Sequence, residues 1–463
     1  MLNFTESMEW IEREHCFPKD LKYFHAHRFA KMFECLPKEI RNIPSIVSVG
    51  SCGKASILSF CASIFSHLGY KCVVGVKPPL NESASGNLQR YQIWHNGSVR
   101  SMSEEEFMEQ FPLLQEAVNM AEEAPELGKV APYDMRAWLL NSWAVRQKAD
   151  FIFAEANIGY LADPISVLPN TILTLVGPIG TDHGQILLAP KDFHPELEDK
   201  AGPFYHKIEP LRHKKNIVFA RQDPKVENLL PEGLLYGRDF SAEDIDCSMD
   251  GSTFRLKLSK KMCEVYCVDP NIFNSQKFSL NALGSFQCEN ASQALVGAMT
   301  VLGTHWEDMA RGLQATHISG RLQKLSDKIL ATVASSREKL RSLLDSLEKL
   351  LGQEEKICVC ATFLDRIHSL KEAVNLLSNW PKLSTLAVTN YLNDEVNRDI
   401  HPNKIASIAP QAHLFPYAPQ EAESFILRRA EERSERVLFL GNGMLSYLSL
   451  NHKRPNFVCD CAL

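Results

Sequence analysis

The sequence lacks any apolar run approaching the length a membrane-spanning helix needs, so no transmembrane segment is expected. It also lacks an excess of positive charge: 50 Lys and Arg against 56 Asp and Glu leave a net charge of -6. That excludes a general nucleic-acid binder, which displaces counterions with a basic surface. Common zinc spacing is missing as well. The paired cysteines, Cys358/Cys360 and Cys459/Cys461, are separated by one residue rather than two. The 13 cysteines form an odd, scattered set that reads as reduced cytosolic thiols. No basic region followed by an apolar run opens the chain, so no secretory leader is expected and the cytoplasm is the expected location. Asp460, not a cysteine, stands fourth from the end, so prenylation is not expected. Repeats and low-complexity tracts are missing too.

What remains is an ordinary globular composition, 45% hydrophobic and 23% charged over 463 residues. The pattern predicts two helices, over 7–15 and 21–33, and then a short buried strand, Ile46-Val47-Ser48-Val49. A small-residue turn, Gly50-Ser51-Cys52-Gly53-Lys54-Ala55-Ser56, follows it. Ile57, Phe60, Cys61, Ile64 and Leu68 then share one helical face, and Gly69 ends that helix. With a strand at 72–76 this makes a βαβ unit and predicts a parallel sheet. Further strands are expected at 151–154, 171–176 and 216–220, with a helix over 134–147 and a hairpin turn at Asn96-Gly97. Strand-like pieces occur at 253–258 and 263–268, and helical spacing at 281–302. Beyond His317-Ile318-Ser319-Gly320-Arg321 a new cycle begins, with a leucine-faced helix around 340–351 and strands at 357–360, 386–388 and 437–440. The expectation is an α/β protein. A large N-terminal P-loop-type parallel-sheet domain spans 1–318, and a smaller Rossmann-like α/β domain spans 319–463.

The turn at 50–56 carries the chemistry. Backbone N–H groups of a glycine-containing strand–helix turn can point at phosphate oxygens, aided by the helix dipole, the Lys54 charge and the Ser56 hydroxyl as a Mg²⁺ ligand. The strict Walker A pattern fails, because Ser48 and Ala55 stand where it needs Gly and Ser or Thr. An incidental lysine in a plain strand–helix turn is the competing explanation.

Gly50 to Ser56 resembles Gly-Thr-Asn-Gly-Lys-Gly-Ser, the phosphate loop of the folylpolyglutamate and dihydrofolate synthases in the Mur ligase superfamily; Cys52 and Ala55 depart from it. The resemblance continues collinearly through most of the first 325 residues. Val76-Lys77-Pro78-Pro79-Leu80 stands at the family's folate-contacting Ser-Pro-His-Leu, without its Ser and His. Ala154-Glu155-Ala156-Asn157-Ile158-Gly159-Tyr160-Leu161-Ala162-Asp163 is similar to Glu-Val-Gly-Leu-Gly-Gly-Arg-Leu-Asp. Ile179-Gly180-Thr181-Asp182-His183 is similar to Ile-Gly-Leu-Asp-His, and Asp199-Lys200-Ala201-Gly202 to Glu-Lys-Ala-Gly. Gln287-Cys288-Glu289-Asn290-Ala291 and Gly320-Arg321 resemble the family's nucleotide-contacting segments.

The resemblance implies ATP and Mg²⁺ as cofactors. Gly50, Ser51, Gly53, Lys54, Ala55, Ser56, Asn290 and Arg321 would hold the nucleotide, and Ser56, Glu155 and His183 the metal. Lys54 and His183 would be catalytic, as would Lys200, carbamylated in the family. Each has a plainer alternative: a helix cap, a satisfied polar residue or a surface ion pair. The implied activity is ATP-dependent addition of glutamate to a folate or pteroate, by a monomer in folate and one-carbon metabolism with no nucleic-acid or membrane partner. The match breaks at the family's Asp-Gly-Ala-His-Asn-Pro, where this chain reads Ile329-Leu330-Ala331-Thr332-Val333-Ala334-Ser335-Ser336. Phe363-Leu364-Asp365-Arg366 keeps one acid of an Asp-Lys-Asp loop. A non-ligating, nucleotide-binding homologue and a ligase for another acid and amine are therefore the alternatives.

Overall fold

The computed structural model describes residues 2–11, 26–76, 87–124, 130–184, 186–269, 276–334, 336–364, 367–390 and 400–451. The folate-loop counterpart at 77–80, Ser335, Asp365, Arg366, the second half of the first expected helix and the C-terminal cysteines lie outside them.

The first sheet contains β1 (Ser45–Val49), β2 (Cys72–Gly75), β3 (Tyr91–His95), β4 (Ser98–Ser101), β5 (Phe151–Glu155), β6 (Thr171–Val176), β7 (Ile217–Phe219) and β8 (Leu234–Leu235). Their order is β4-β3-β2-β5-β1-β6-β7-β8. From β2 to β8 all neighbours are parallel; β3 and β4 add an antiparallel edge through a turn whose Asn96 and Gly97 both have positive φ. The parallel strands read as unbroken apolar runs because both faces are covered. Val47, Val49, Ile152 and Ala154 join one core with Trp138 and Trp143 of the helix Pro132–Arg146. Ile46, Phe151, Phe153, Leu173 and Leu175 join another with the helices Lys54–His67 and Ser285–Leu302. Phe65, fully buried, meets the edges of Phe151 at 4.8 Å and Phe153 at 5.3 Å. Burying such a ring stabilises by about 1.5–3 kcal/mol, with a further increment from edge-to-face contact.

A second, antiparallel sheet orders β11 (Lys277–Leu280), β10 (Gly251–Leu258) and β9 (Phe240–Ser248) side by side, against the helix Ser285–Leu302. The expected strand at 263–268 is instead a helix, Lys260–Val265. Ser259 caps it by accepting from the Met262 N–H, and Met262 and Cys263 turn inward. The apolar residues there suit a short helical face equally well, and the cap decides between the two.

The third sheet contains β12 (Gln323–Ser326), β13 (Ile329–Thr332), β14 (Ile357–Ala361), β15 (Leu383–Thr389), β16 (His413–Phe415) and β17 (Arg436–Leu440), in the order β12-β13-β17-β14-β15-β16. All its pairs are parallel except β12 with β13. Leu340, Leu343, Leu344 and Leu347 bury the expected face of the helix Arg337–Leu350. The α/β class read from the sequence is borne out, with two parallel-dominated sheets. Among the described residues no helix is long and apolar enough to cross a membrane.

Candidate functional site

β1 lies at the centre of the first sheet, so its carboxyl end opens between β5 and β6 where a parallel sheet holds ligands. The chain leaves β1 through two glycines that no other residue replaces cheaply. Gly50 has φ +136°, and a Cβ there would sit 2.9 Å from the backbone of Gly177. Gly53 has φ +80°, and a Cβ there would sit 2.9 Å from Asn290 Oδ1. The bend is therefore drawn against β6 on one side and Asn290 on the other. Gly53 is also the N-cap of the helix Lys54–His67, and among the described residues no side chain caps that end. Its first N–H groups keep their capacity for an anion. Lys54 Nζ donates to the Gly50 carbonyl at 2.7 Å, folding the ammonium over the bend. Ser56 is buried in the first turn.

The segment 180–183 is bound to this bend. Ser51 Oγ accepts from the Gly180 N–H at 2.8 Å and from Lys207 Nζ at 2.8 Å. Lys207 also pairs with Asp182 Oδ1 at 2.6 Å, with both side chains buried. Burial pushes the Asp182 carboxyl up, but Lys207, Lys54 and His183 together outweigh it and hold it well below the usual carboxylate range. Burial lowers the Lys207 pKa, and Asp182 opposes that. His183 adopts φ +60°, uncommon for a residue with a Cβ, and its Nε2 lies 3.9 Å from Asp182 Oδ2. Thr181 Oγ1 donates to Glu338 Oε1 at 3.0 Å, tying the segment to the first turn of the helix Arg337–Leu350.

Glu155 ends β5, in register with Ser48 of β1, and attracts Arg321. Arg321 loses proton affinity through burial, which Glu155 opposes, and it donates to the Gly320 carbonyl at 3.2 Å. Asn290 donates to Gln287 Oε1 at 3.0 Å. The structure thus gathers Gly50 to Ser56, Asn290, Glu155, His183 and Arg321 around one bend. Lys200 is not among them. Its Nζ pairs with Asp223 at 2.7 Å, with both side chains more than a quarter exposed. An ammonium suits that partner, whereas a carbamate would face a carboxylate. Asp182, Lys207, Glu338 and Lys339 were not singled out from the sequence. Asp182 sat inside a quoted motif, but nothing marks Lys207, and Lys339 follows an altered segment.

Behind the bend, Asp163 accepts from the Asn157 N–H at 2.7 Å and the Ile165 N–H at 3.2 Å. Burial nevertheless pushes its carboxyl up to about 6. A carboxyl that holds its proton longer when folded stabilises fully below its unfolded value, about pH 4, and loses that contribution as pH rises through about 6. Urea midpoints are expected to fall across that window by the equivalent of about 2–3 kcal/mol, and Asp163→Asn should flatten that part of the slope.

The solved structures whose fold this chain shares are folylpolyglutamate synthases, so the resemblance read from the sequence is borne out. The Lactobacillus casei enzyme in its apo form has a TM-score of 0.75 at 17% identity, over 98% of this chain and 100% of that one. The Mycobacterium tuberculosis enzyme complexed with ADP has a TM-score of 0.73 at 17% identity, over 99% and 100%. A folylpolyglutamate synthase in complex with AMPPCP and folate has a TM-score of 0.76 at 16% identity, over 98% and 100%. Among curated proteins, the UDP-N-acetylmuramoyl-L-alanyl-D-glutamate–L-lysine ligase of Streptococcus pneumoniae serotype 4 is 25% identical over 295 residues, 58% of this chain and 54% of that ligase. The chain therefore spans about half the length of the curated relatives it matches. No protein-family model matches it.

Proposed function

We propose that this chain is an ATP-dependent amide ligase of the folylpolyglutamate and dihydrofolate synthase type, with Mg²⁺ as its metal. One observation carries the reading: the uncapped, lysine-bearing bend after β1, surrounded by Asp182, His183, Glu155 and Arg321. The Ser51 N–H is taken by the Pro178 carbonyl at 2.9 Å, so the N–H groups of 52–56 and the Lys54 ammonium would bind the triphosphate, with Asn290 and Arg321 beside it. A substrate carboxylate takes the terminal phosphoryl group, giving an acyl phosphate and ADP. An amine then displaces phosphate to leave an amide. Fixed donors aimed at the transferring group lower the barrier without reorganising. Residues 1–318 would hold the nucleotide and 319–463 the amine side. A folate or pteroate and glutamate are the leading substrates.

The donor chemistry fits Mg²⁺, a hard ion that prefers oxygen and keeps waters and phosphate oxygens. Glu155 supplies a carboxylate and Ser56 a hydroxyl. Ser48 Oγ, in register with Glu155, is buried and has no hydrogen-bond partner among the described residues. Among the described residues no group of three or more His, Cys, Asp or Glu is close enough to hold an ion alone. Phosphate and water oxygens would complete the shell, with His183 beside Asp182 at its edge. When bound, the metal neutralises charge on the phosphates.

Titration calorimetry with ATP and Mg²⁺, followed by ADP release with dihydropteroate or tetrahydrofolate plus glutamate, tests this. Glutamate-dependent ADP release is the expected result. A second reading draws on the altered stretch 329–336 before the helix Arg337–Leu350, which lacks the family's Asp-Gly-Ala-His-Asn-Pro. ATP binding without glutamate-dependent turnover on any folate would favour a non-ligating, nucleotide-binding protein, or a ligase for another acid and amine.

A further inference from the structure

The helix Arg337–Leu350 belongs to the third sheet's half of the chain, yet its first turn is pressed against the phosphate-loop side. Glu338 takes the Thr181 hydroxyl, and a Cβ on Gly180 would lie 3.3 Å from Glu338 Cδ. Ser336 caps the helix by accepting from the Lys339 N–H at 3.4 Å. These anchors fix where Lys339 starts. The groups that act on its ammonium are Lys54, Cys52, Asp182 and Arg321, all around the bend. Each other cation there has a partner. Lys54 has the Gly50 carbonyl, Lys207 has Asp182 and Ser51, and Arg321 has the Gly320 carbonyl and the Glu155 charge. No hydrogen-bond or ion-pair partner for Lys339 Nζ is found among the described residues. Cations brought together at low dielectric repel one another unless an anion comes between them.

We propose that Lys339 is a phosphate contact supplied from the third sheet's side of the site, reaching the distal phosphates of a polyphosphate chain seated on the bend. The choice of ATP rests on the proposed function; recognition of polyphosphate does not. The chemistry is that of a compact ammonium meeting a multiply charged anion.

Calorimetric titrations of the full chain with ATP, ADP and inorganic tripolyphosphate test this, in the wild type, Lys339→Gln and Lys339→Arg. Lys339→Gln should weaken ATP and tripolyphosphate by about tenfold and ADP by about twofold, and Lys339→Arg should recover most of the loss. Unchanged binding by Lys339→Gln overturns the proposal and leaves the nucleotide reading intact. A wild type that binds tripolyphosphate but not ATP overturns the nucleotide reading, and Lys339 is then judged on tripolyphosphate alone. A wild type that binds neither overturns both. A second readout needs no variant: bound tripolyphosphate should shield Lys339 from an amine-acylating reagent, mapped by mass spectrometry. Equal labelling with and without the anion overturns the proposal.

Discussion

Lys54→Gln is expected to weaken ATP binding by about a hundredfold or more and to remove any ADP release, while the fold stays intact. The side chain starts a helix whose first N–H groups no side chain caps, and its ammonium folds back onto the Gly50 carbonyl within its own bend. It is tied to the backbone of its own loop, so its loss opens no cavity in either core. The charge matters more. Lys54 is one of the cations acting on Asp182, so its removal weakens the positive field beside the start of its own helix. Removing one fixed donor from a charge-stabilising site typically costs about 10²–10³ in rate. Calorimetry gives the binding term and a coupled ADP assay the turnover. Near-normal ATP affinity in a folded Lys54→Gln protein would show that the lysine is the incidental one of the competing explanation.

Lys207→Met is expected to cost stability rather than binding alone, by about 3–5 kcal/mol. Lys207 Nζ is almost fully buried and serves two partners, Asp182 at 2.6 Å and Ser51 Oγ at 2.8 Å. Without it, Asp182 keeps a buried charge whose close partner is gone, and the Ser51 hydroxyl loses one donor. Asp182 is held below the usual carboxylate range, so the pair stabilises above about pH 4 and its contribution is lost as the medium is acidified through the folded value. Urea unfolding at pH 7 measures the loss. The double change Lys207→Met with Asp182→Leu should recover part of it, because two apolar groups replace two charges together. A single variant as stable as the wild type would mean that the pair contributes little net energy.

Much of the fold was legible because its strands are buried on both faces and read as plain apolar runs. Ile46 to Val49, Thr171 to Val176 and Ile357 to Cys360 fall inside observed strands. The bend was legible too, since Gly50 and Gly53 occupy backbone conformations that other residues resist. The segment 263–268 was misread because a handful of apolar residues fits either period, and the deciding feature was one serine hydroxyl. Lys207 and Lys339 were not legible for another reason. A lysine's surroundings depend on which distant element meets it, here Asp182 and Ser51 for Lys207 and the groups around the bend for Lys339. Lys200 carried the sequence signal, but in the structure it pairs with Asp223 at 2.7 Å.

The hydrogen bond from Thr181 to Glu338 couples the two halves of the chain. Since the 180–183 segment also holds Ser51 through Gly180 and Lys207 through Asp182, a shift of the glycine bend is passed to the leucine-faced helix within a few bonds. Substitutions on either side of that bond are then not independent of each other. Scanning one residue at a time would credit the phosphate-loop half with effects that belong to the junction, and paired changes are the way to tell them apart.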